Sequence, residues 1–420
     1  NMARSGGLSE GRDSGVAYHM LKKDPNRGPT VFPASGDVGS QYTPAAGWAQ
    51  AITYRLRVLG ESDWEGAIAV ALGGDGSVAA NGIWSSLNIV TTMQLPMLYF
   101  IEDNGYGLSV PSTIQTPGGN IAANLASFKN LTVSDADGTQ PEEAWQAIND
   151  AVKHVRAGKG PVLLRMRVVR IKGHTFIDDQ AYKTLEQRAS ETERDPLHNM
   201  REFLLSQGVS EDEWDKMVAA VREELSLALE EAKASAGPDP TQVTKHLFFN
   251  GEFQQSGGLQ PENANIPMGT SILSDSTNTH GPRINFIDAV RRTLETEMGI
   301  NPRILVFGED VGVKGGVHGA TMGMQAHFGS ERVFDTSLSE EGIIGRSVGM
   351  AFAGLLPIPE IQFRKYADPA HEQISDLGTI RWRSGNKFAA PVVVRIPVGF
   401  GKKTGDPYHS VTAEAVYAHT

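Results

Sequence analysis

The sequence of 420 residues contains no cysteine, which excludes a disulfide framework, a thiolate metal site and a cysteine nucleophile. It also lacks an apolar run of the roughly 18 residues that a bilayer-spanning helix needs, and no secretory signal opens it. Basic residues are outnumbered, and the net charge of -11 argues against nucleic acid or an anionic membrane as a partner. We therefore expect a cytoplasmic protein, or a mitochondrial matrix protein in a eukaryote.

What is present is typical of a globular enzyme, with 40% hydrophobic and 21% charged residues. The length predicts two or three domains, at roughly 100–200 residues each. The first residues (NMARSGG) and the last (VYAHT) look cut within a structure, so we expect a piece of a longer protein.

Alternating strands and helices fill the first half. The apolar run 67–72 (AIAVAL) predicts a buried parallel strand, and helical spacing follows from Val78 to about Gln94. PMLYFIEDN predicts a second strand, and PVLLRMRVV (161–169) predicts a third after a helix around 141–157. This order is typical of a doubly wound α/β domain with a mostly parallel sheet.

The chain then changes character. The change begins in residues 195–233, where the stretch EDEWDKMVAAVREELSLALEEAKA, rich in Glu, Ala and Leu, predicts a long surface helix. The Gly, Ser, Asn and Pro content of the next stretch predicts a linker. A second α/β pattern contains the strands RILVFGEDV, IPEIQF and PVVVRIP and a helix near 340–353. We predict domains at 1–234 and 283–420, the second incomplete at its C-terminus, joined by a linker at 235–282.

The turn GGDGSVAANG (73–82) allows three interpretations. It could be a tight strand-to-helix turn whose glycines serve backbone conformation alone. It could be a dinucleotide site, since its glycines have the G-x-G-x-x-A spacing and Glu102 and Asp103 follow the next strand. Against the second interpretation, Asp75 would face the pyrophosphate with like charge.

In the third interpretation, Asp75 is a metal ligand. Magnesium prefers oxygen ligands and commonly bridges protein groups to a substrate phosphate, and Asn104 supplies a second oxygen just after the neighbouring strand. The carboxyl ends of parallel strands form the ligand-binding edge of such sheets. A diphosphate would then rest at the N-terminus of the following helix.

A GDG triplet followed by about 26 residues and a (N/D)N pair resembles the thiamine diphosphate motif. The stretch GDGSVAANGIWSSLNIVTTMQLPMLYFIEDNGYGLSVPS resembles the alpha subunit of the decarboxylating first component of 2-oxoacid dehydrogenases, as do VGSQYTPAAGWAQA and RIKGHTFIDDQAYK. The second half, from GEDVGVKGG through SLSEEGIIG to YHSVTAEAVYAHT, resembles the beta subunit. The two subunits look fused, which implies two thiamine-diphosphate-binding-fold domains.

The resemblance implies a magnesium ion bound by the side chains of Asp75 and Asn104 and by the carbonyl of Tyr106. It further implies roles for eight residues. Gly74, Gly76 and Ser77 belong to the cofactor-binding turn; His174 lies on a cofactor-binding loop that Arg170 helps to order; Glu340 hydrogen-bonds the aminopyrimidine; His409 lies near the reacting substrate; and Val38 supports the bent cofactor.

Alternatives remain for several of these residues. Glu340 and Glu341 could be an acidic pair at a helix N-terminus, although the spacing to GIIG favours Glu340 as the cofactor residue. Val38 could instead be packed in the core. Thr175 stands where some members carry a phosphorylated serine.

The implied activity is oxidative decarboxylation of a 2-oxo acid, with reductive acylation of a lipoyl group on a transacylase component. We expect a homo-oligomer with its site at a domain interface. NGYGLSVP and LNIV slightly favour the branched-chain (2-oxoisovalerate) type over the pyruvate or acetoin types. The alternatives from other classes are a non-catalytic nucleotide-binding regulator and a scaffold that binds the cofactor without turnover.

Overall fold

A computed structural model describes residues 4–5, 9–12, 29–32, 35–248, 283–399 and 405–419 of the chain. Residues 249–282, most of the predicted linker, lie outside this described part. Among the described helices, none combines the length and the apolar character needed to cross a membrane.

The N-terminal part alternates helices and strands as the sequence predicts. Its elements, in chain order, are α1 (Tyr42–Arg57), β1 (Ala69–Gly74), α2 (Asn81–Met93), β2 (Met97–Asp103), β3 (Tyr106–Gly107), β4 (Val110–Pro111), α3 (Ser112–Gln115), α4 (Ile121–Leu125), β5 (Thr132–Asp137), α5 (Pro141–Arg156), β6 (Val162–Arg167), α6 (Leu185–Glu193), α7 (Pro196–Ser206) and α8 (Glu211–Ala234).

A four-stranded sheet in the order β1-β2-β6-β5 forms the centre of this part. All its neighbouring strands are parallel, with Ala69 opposite Met97 and Leu98 opposite Val162. Because β1 and β2 are neighbours and parallel, their carboxyl ends at Gly74 and Asp103 lie at the same edge. The predicted doubly wound arrangement with a parallel sheet is confirmed.

The predicted helix after β1 begins later than Val78. Residues Asp75–Ala79 form a 3-10 turn, and α2 starts at Asn81 and ends before Gln94, which takes a left-handed backbone conformation. The turn therefore separates the strand from the helix and carries Asp75 at its first position.

The C-terminal part contains a smaller parallel sheet in the order β8-β7-β9. Its elements, in chain order, are α9 (Phe286–Ile300), β7 (Ile304–Gly308), α10 (Met324–Phe328), β8 (Val333–Asp335), α11 (Glu340–Phe352), β9 (Leu356–Glu360) and α12 (His371–Arg383).

The strand predicted at PVVVRIP is wrong as a full strand, since only Arg395 forms an isolated bridge, to Glu360. The segment does run beside β9, where Val393 N–H donates to Pro357 O at 3.2 Å and Arg395 N–H to Pro359 O at 2.9 Å. Two prolines in β9 have no N–H to donate in return. The N–H that donates back is that of Ile361, directly after β9, to Arg395 O at 2.9 Å, so the ladder stays incomplete.

The predicted surface helix is α8, which follows α7 on the outside of the N-terminal part. It begins with a capping box in which Ser210 and Glu213 satisfy each other's backbone N–H groups. None of its 24 residues is buried, so the expectation of a surface position is confirmed.

Helix α1 packs against both sheets' layers. Its residues Tyr42, Ala45, Ala46 and Ala49 recur at helical spacing and belong to the core around β1 and β2. On another face, Ala51 and Tyr54 belong to the core around β7 and α11. Trp48 packs against both cores. Helix α1 therefore contacts both cores and connects the two parts of the chain.

Glycines allow α1 and α11 to approach closely. A Cβ on Gly47 would overlap the Arg346 carbonyl, and a Cβ on Gly349 would overlap the Pro44 carbonyl and lie 2.7 Å from Trp48 N. A buried hydrogen bond from Gln373 Nε2 to Ser40 O, 3.0 Å long, adds a polar contact between the same two parts. The crossing is thus set by backbone contact rather than by long side chains.

Gly349→Ala should lower the free energy of unfolding by about 1–3 kcal/mol, because overpacking moves either helix backbone. Gly378→Ala is the matched control, since Gly378 lies in α12 with open space around it. That control should stabilise slightly, by about 0.5–1 kcal/mol. Chemical denaturation of both variants makes the comparison, and equal effects would show that the crossing does not depend on close backbone approach.

Candidate active site

Asp75 is the first residue after β1 and its side chain is almost fully buried, with 3% of the residue exposed. The carboxylate Oδ1 accepts a hydrogen bond from Asn104 N–H at 3.3 Å. Oδ2 is buried and has no hydrogen-bond partner. Burial, followed by the nearby charge of Asp103, raises the pKa of Asp75. Such an unpaired carboxylate oxygen is costly unless a cation or donor meets it.

Asn104 and Tyr106 lie beside Asp75 in the turn after β2. Asn104 Oδ1 accepts from Tyr106 N–H at 3.1 Å, and the Tyr106 carbonyl accepts from Arg170 Nη2 at 3.0 Å. Each of these oxygens has a second lone pair. The structure thus brings together the three residues that the resemblance implies as metal ligands.

Gly76 and Gly107 allow the turn after β1 to touch the segment that follows β2. A Cβ built on Gly76 would lie 2.9 Å from Gly107 Cα, whereas one on Gly74 would meet only the Glu102 carbonyl at an ordinary 3.6 Å. Gly76 is therefore required by the protein's own backbone. This holds the Asp75 turn against the turn that carries Asn104 and Tyr106.

The hydroxyl of Ser77 supports the turn from inside. Ser77 Oγ donates to Gly74 O at 2.6 Å, and Tyr42 OH lies 2.6 Å from the same Oγ. Because the serine proton goes to Gly74, Tyr42 donates to Ser77. Burial raises the pKa of Tyr42 to about 12, which keeps this phenol a donor at neutral pH.

The donors present fit a magnesium ion and a diphosphate. Within the described ranges, no three His, Asp or Glu side chains gather as a metal cluster, so a cation here would depend on one carboxylate with neutral amide and carbonyl oxygens. Magnesium sites that share the ion with a phosphate use few protein ligands of this kind. The N-cap of α2, Ala80, provides no side-chain cap, which leaves its first N–H groups for an anion.

Asp103 is engaged by the protein and does not suit a ribose-binding role. Its carboxylate accepts from Arg165 Nε at 2.7 Å and from Gly105 N–H at 3.0 Å, and it is almost wholly buried. The dinucleotide interpretation depended on an acid at this strand end. Glu102 is exposed, but Asp103 is committed to Arg165.

The loop that carries His174 is tied to the Asn104 turn through Arg170. Its guanidinium donates to the carbonyls of Tyr106 and Leu108 and lies 3.3 Å from Tyr182 OH. Tyr182 OH donates to Asp178 Oδ2 at 3.0 Å, and the same oxygen accepts from His174 N–H at 2.6 Å. The His174 residue itself is exposed. Hydrogen bonds thus connect this loop to the predicted metal ligands.

Glu340 and Glu341 begin α11, with Ser339 as the N-cap. Ser339 Oγ lies 2.7 Å from Ser85 Oγ of α2, so the N-termini of α11 and α2 meet. Glu341 is buried, and its Oε1 would lie 2.8 Å from a Cβ on Gly82; burial raises its pKa. Glu340 is half-buried. Both glutamates therefore lie at the junction of the two parts.

Glu309 was missed by the sequence-based reasoning. It follows β7 directly, is 7% exposed, and its Oε1 is buried without a hydrogen-bond partner. Burial and then the charge of Glu340 raise the pKa of Glu309 to about 7. The signal was available, because GED follows a buried strand in the way GDG does in the first half.

His409 lies in the C-terminal part, where its contacts are to Asp406, Phe363 and Tyr366. Val38 is 69% exposed, so the alternative that it packs in the core is wrong. These contacts of His409 are all with residues of the C-terminal part. Glu340, by contrast, lies where the start of α11 contacts α2.

The fold and the site now define a class: an α/β protein with two parallel sheets, joined through α1, and with a buried carboxylate at a strand-end turn. Residues 3–241 match the family model for the dehydrogenase E1 component, and residues 283–420 match that for the transketolase pyrimidine binding domain. Since the first match covers more than half of its length, the chain belongs to the dehydrogenase E1 component family.

Relatives of two kinds, both beta subunits, resemble about a third of the chain. The beta subunit of 2-oxoisovalerate dehydrogenase from Bacillus subtilis is 45% identical over 137 residues, which cover 32% of this chain and 42% of the relative. The beta subunit of the pyruvate dehydrogenase E1 component from the same organism is 40% identical over 137 residues, with the same two coverages. The chain thus spans less than half the length of these curated relatives.

A solved structure is also similar. Transketolase from Campylobacter jejuni aligns with 87% of this chain and 52% of its own, with 12% identity and a TM-score of 0.49.

Glu309→Gln should flatten the pH dependence of stability. The pKa of Glu309 rises from 4.5 to about 7 on folding, so the folded state holds a proton more tightly, and its stability falls as the pH rises between these values. Glutamine removes this loss. Relative to wild type, the variant should gain roughly 1–3 kcal/mol between pH 5 and pH 8, since one pKa unit is worth about 1.4 kcal/mol.

Urea unfolding at several pH values measures this effect, with the exposed Glu65 changed to Gln as the control. A Glu309→Gln protein whose stability kept the wild-type slope would show that Glu309 does not titrate in this range.

Proposed function

We propose that this chain catalyses the oxidative decarboxylation of a 2-oxo acid with thiamine diphosphate and Mg²⁺, and transfers the acyl group to a lipoyl group of a transacylase component. The observation that carries the proposal is the buried, unpartnered Oδ2 of Asp75 next to Asn104 and the uncapped start of α2. Membership of the dehydrogenase E1 component family supports it.

In this proposal, Asp75, Asn104 and the Tyr106 carbonyl hold the magnesium ion, and the turn Gly74–Ser77 with the start of α2 holds the diphosphate. Thiamine diphosphate supplies the stabilisation of negative charge at the reacting carbon. The protein residues position it, exclude water and hold protons. The shared position of the α2 and α11 N-termini supports a site between the two parts.

Glu340 is proposed to hydrogen-bond the aminopyrimidine, as the family resemblance implies. Burial and the like charge of Glu340 raise the pKa of Glu309 to about 7. The Glu309 carboxyl is therefore about half-protonated near pH 7. A carboxyl group that shares protons at neutral pH suits acid–base work. His174 is proposed to act from the loop that Arg170 ties to Tyr106, and His409 to contact the substrate.

The substrate is proposed to be a branched-chain 2-oxo acid, with pyruvate as the alternative. Relatives of both kinds match the chain, so the choice between the two substrates depends on the motifs in the sequence. A preference of about tenfold or more for 3-methyl-2-oxobutanoate over pyruvate in kcat/KM would support the proposal, because one methylene in an apolar pocket is worth about 1–3 kcal/mol. A homo-oligomer and cytoplasmic location complete the proposal.

Asp75→Asn should weaken the magnesium-dependent binding of thiamine diphosphate and stabilise the protein in the absence of ligands. The substitution removes a buried negative charge whose Oδ2 has no hydrogen-bond partner. Buried carboxylates that bind ligands commonly lower the stability of the ligand-free protein. Titration calorimetry should show binding weakened by about 100-fold or more, equivalent to roughly 2.7 kcal/mol.

Glu102→Gln is the matched control, since it removes the same charge from an exposed position two residues before Asn104. It should leave cofactor binding within about twofold of wild type. Tight binding of NAD without metal, or full thiamine diphosphate affinity in Asp75→Asn, would contradict the proposal.

Glu340→Gln should lower the decarboxylation rate by about 10²-fold or more, the usual contribution of a positioned acid–base group. The assay follows 2-oxo acids with thiamine diphosphate, Mg²⁺ and an artificial electron acceptor. Glu341→Gln is the companion variant, because Glu341 is the neighbour that contacts the start of α2. A larger loss in Glu341→Gln than in Glu340→Gln would reverse the assignment.

A further inference from the structure

His409 is held by hydrogen bonds on both of its ring nitrogens. Nδ1 lies 2.8 Å from Asp406 Oδ2 and 3.0 Å from Oδ1, and Nε2 lies 2.9 Å from Tyr366 OH. The buried Phe363 ring meets the imidazole edge to face, with ring centroids 4.6 Å apart and planes at 81°. The imidazole is thus fixed in orientation as well as in position.

We infer that Asp406 is a positioning residue for His409. Asp406 fixes the neutral imidazole as the Nδ1–H tautomer and leaves Nε2 to accept from Tyr366. This inference rests on the proposed function only for its catalytic consequence. A carboxylate offers acceptors alone, so Nδ1 must be the protonated nitrogen. Outer-shell carboxylates set the tautomer and ring orientation of histidines in this way.

The rest of the Asp406 environment supports an acceptor at this place. Oδ1 accepts from the N–H groups of Tyr408 and His409 at 2.8 and 3.1 Å. These bonds, with the hydrogen bond from the imidazole as the largest contribution, lower the pKa of Asp406. The carboxylate therefore stays ionised. Its Oδ1 accepts the two backbone hydrogen bonds, while Oδ2 makes the shorter contact to the imidazole.

The tautomer decides what Tyr366 presents to a ligand. While Nε2 is unprotonated, Tyr366 gives its only proton to Nε2 and offers oxygen lone pairs outward. Once the imidazole is protonated, Nε2–H donates to the phenol oxygen, and the Tyr366 proton is free to donate to an anionic group. Protonation of His409 thus changes Tyr366 from an acceptor to a donor, provided that Nδ1 keeps its proton throughout.

Asp406→Asn separates this role from a merely structural one. The amide oxygen can keep both backbone hydrogen bonds of Oδ1, while its NH₂ group replaces Oδ2 opposite Nδ1. A donor at that place forces the proton of the neutral ring onto Nε2, as happens in the catalytic triad when the aspartate becomes asparagine. The fold should be retained, because Asp406 is exposed.

The test is ¹⁵N NMR of the full chain labelled at histidine nitrogens, with His409→Gln used to assign the signal. When the imidazole is neutral, the wild type should carry its proton on Nδ1, and Asp406→Asn should carry it on Nε2. Glu414→Gln, which removes an exposed carboxylate five residues from His409, should keep the wild-type tautomer. An Nε2–H tautomer in the wild type, or an unchanged tautomer in Asp406→Asn, overturns the inference.

Activity provides a second measurement. Acyl transfer to a lipoyl group should slow by about 10²-fold in kcat in Asp406→Asn, with KM for the lipoylated partner changed less than about threefold and the thermal midpoint unchanged. Wild-type kcat with an inverted tautomer would show that the tautomer does not matter for turnover. If the wild type processed no 2-oxo acid, the proposed function would fail, whereas the NMR result would still decide the role of Asp406.

Discussion

The contact between α1 and α11 is the constraint on which the rest of the structure depends. Because glycines stand where the helices cross, the two backbones touch, and each sheet is held at a fixed distance from the other. Unlike a surface helix, α1 packs one face against the core around β1 and β2 and another against the core around β7 and α11. The same arrangement brings the N-termini of α2 and α11 together, so the candidate site depends on a packing contact outside it.

Charge in the site is placed at a cost to stability. Asp75 and Glu309 each follow a buried strand, each keeps one carboxylate oxygen without a partner, and burial raises the pKa of each. Arg346, in the middle of α11, is also buried, and burial lowers its pKa to about 10. Uncompensated charges of this kind destabilise a folded protein unless ligands or partners meet them. Their burial with unpartnered polar atoms distinguishes these positions from ordinary core packing.

Periodicity predicted most of the elements but not the contacts between them. The strands at Ala69–Gly74 and Met97–Asp103 were predictable, because buried apolar runs between turn residues have few other interpretations. The run PVVVRIP has the same appearance, yet its strand is incomplete because its neighbour contains Pro357 and Pro359. That outcome depends on which strand lies alongside, and spacing within one segment carries no such information.

The site shows the same division. Asp75 and Asn104 could be paired from their positions after adjacent strands, since parallel strands share one edge. The engagement of Asp103 by Arg165 and of Ser77 by Tyr42 depends on residues distant in the sequence. Glu309 and the Asp406–His409 pair were missed for different reasons. Glu309 could have been found by looking for acidic residues after buried strands in the second half as well as in the first. The Asp406–His409 pair depends on the ring orientation that Phe363 imposes, which spacing does not reveal.

The joining helix has a consequence for how such a chain is assembled. The contacts between the two parts described above are made by α1, α2, α11 and α12 and their flanking residues, and Trp382 Nε1 of α12 also donates to Val243 O, in the described start of the connector, at 2.7 Å. Because the two parts belong to one polypeptide, the covalent tether between them raises the local concentration of each part around the other. Two separate polypeptides could form the same junction only with an affinity high enough to replace that tether.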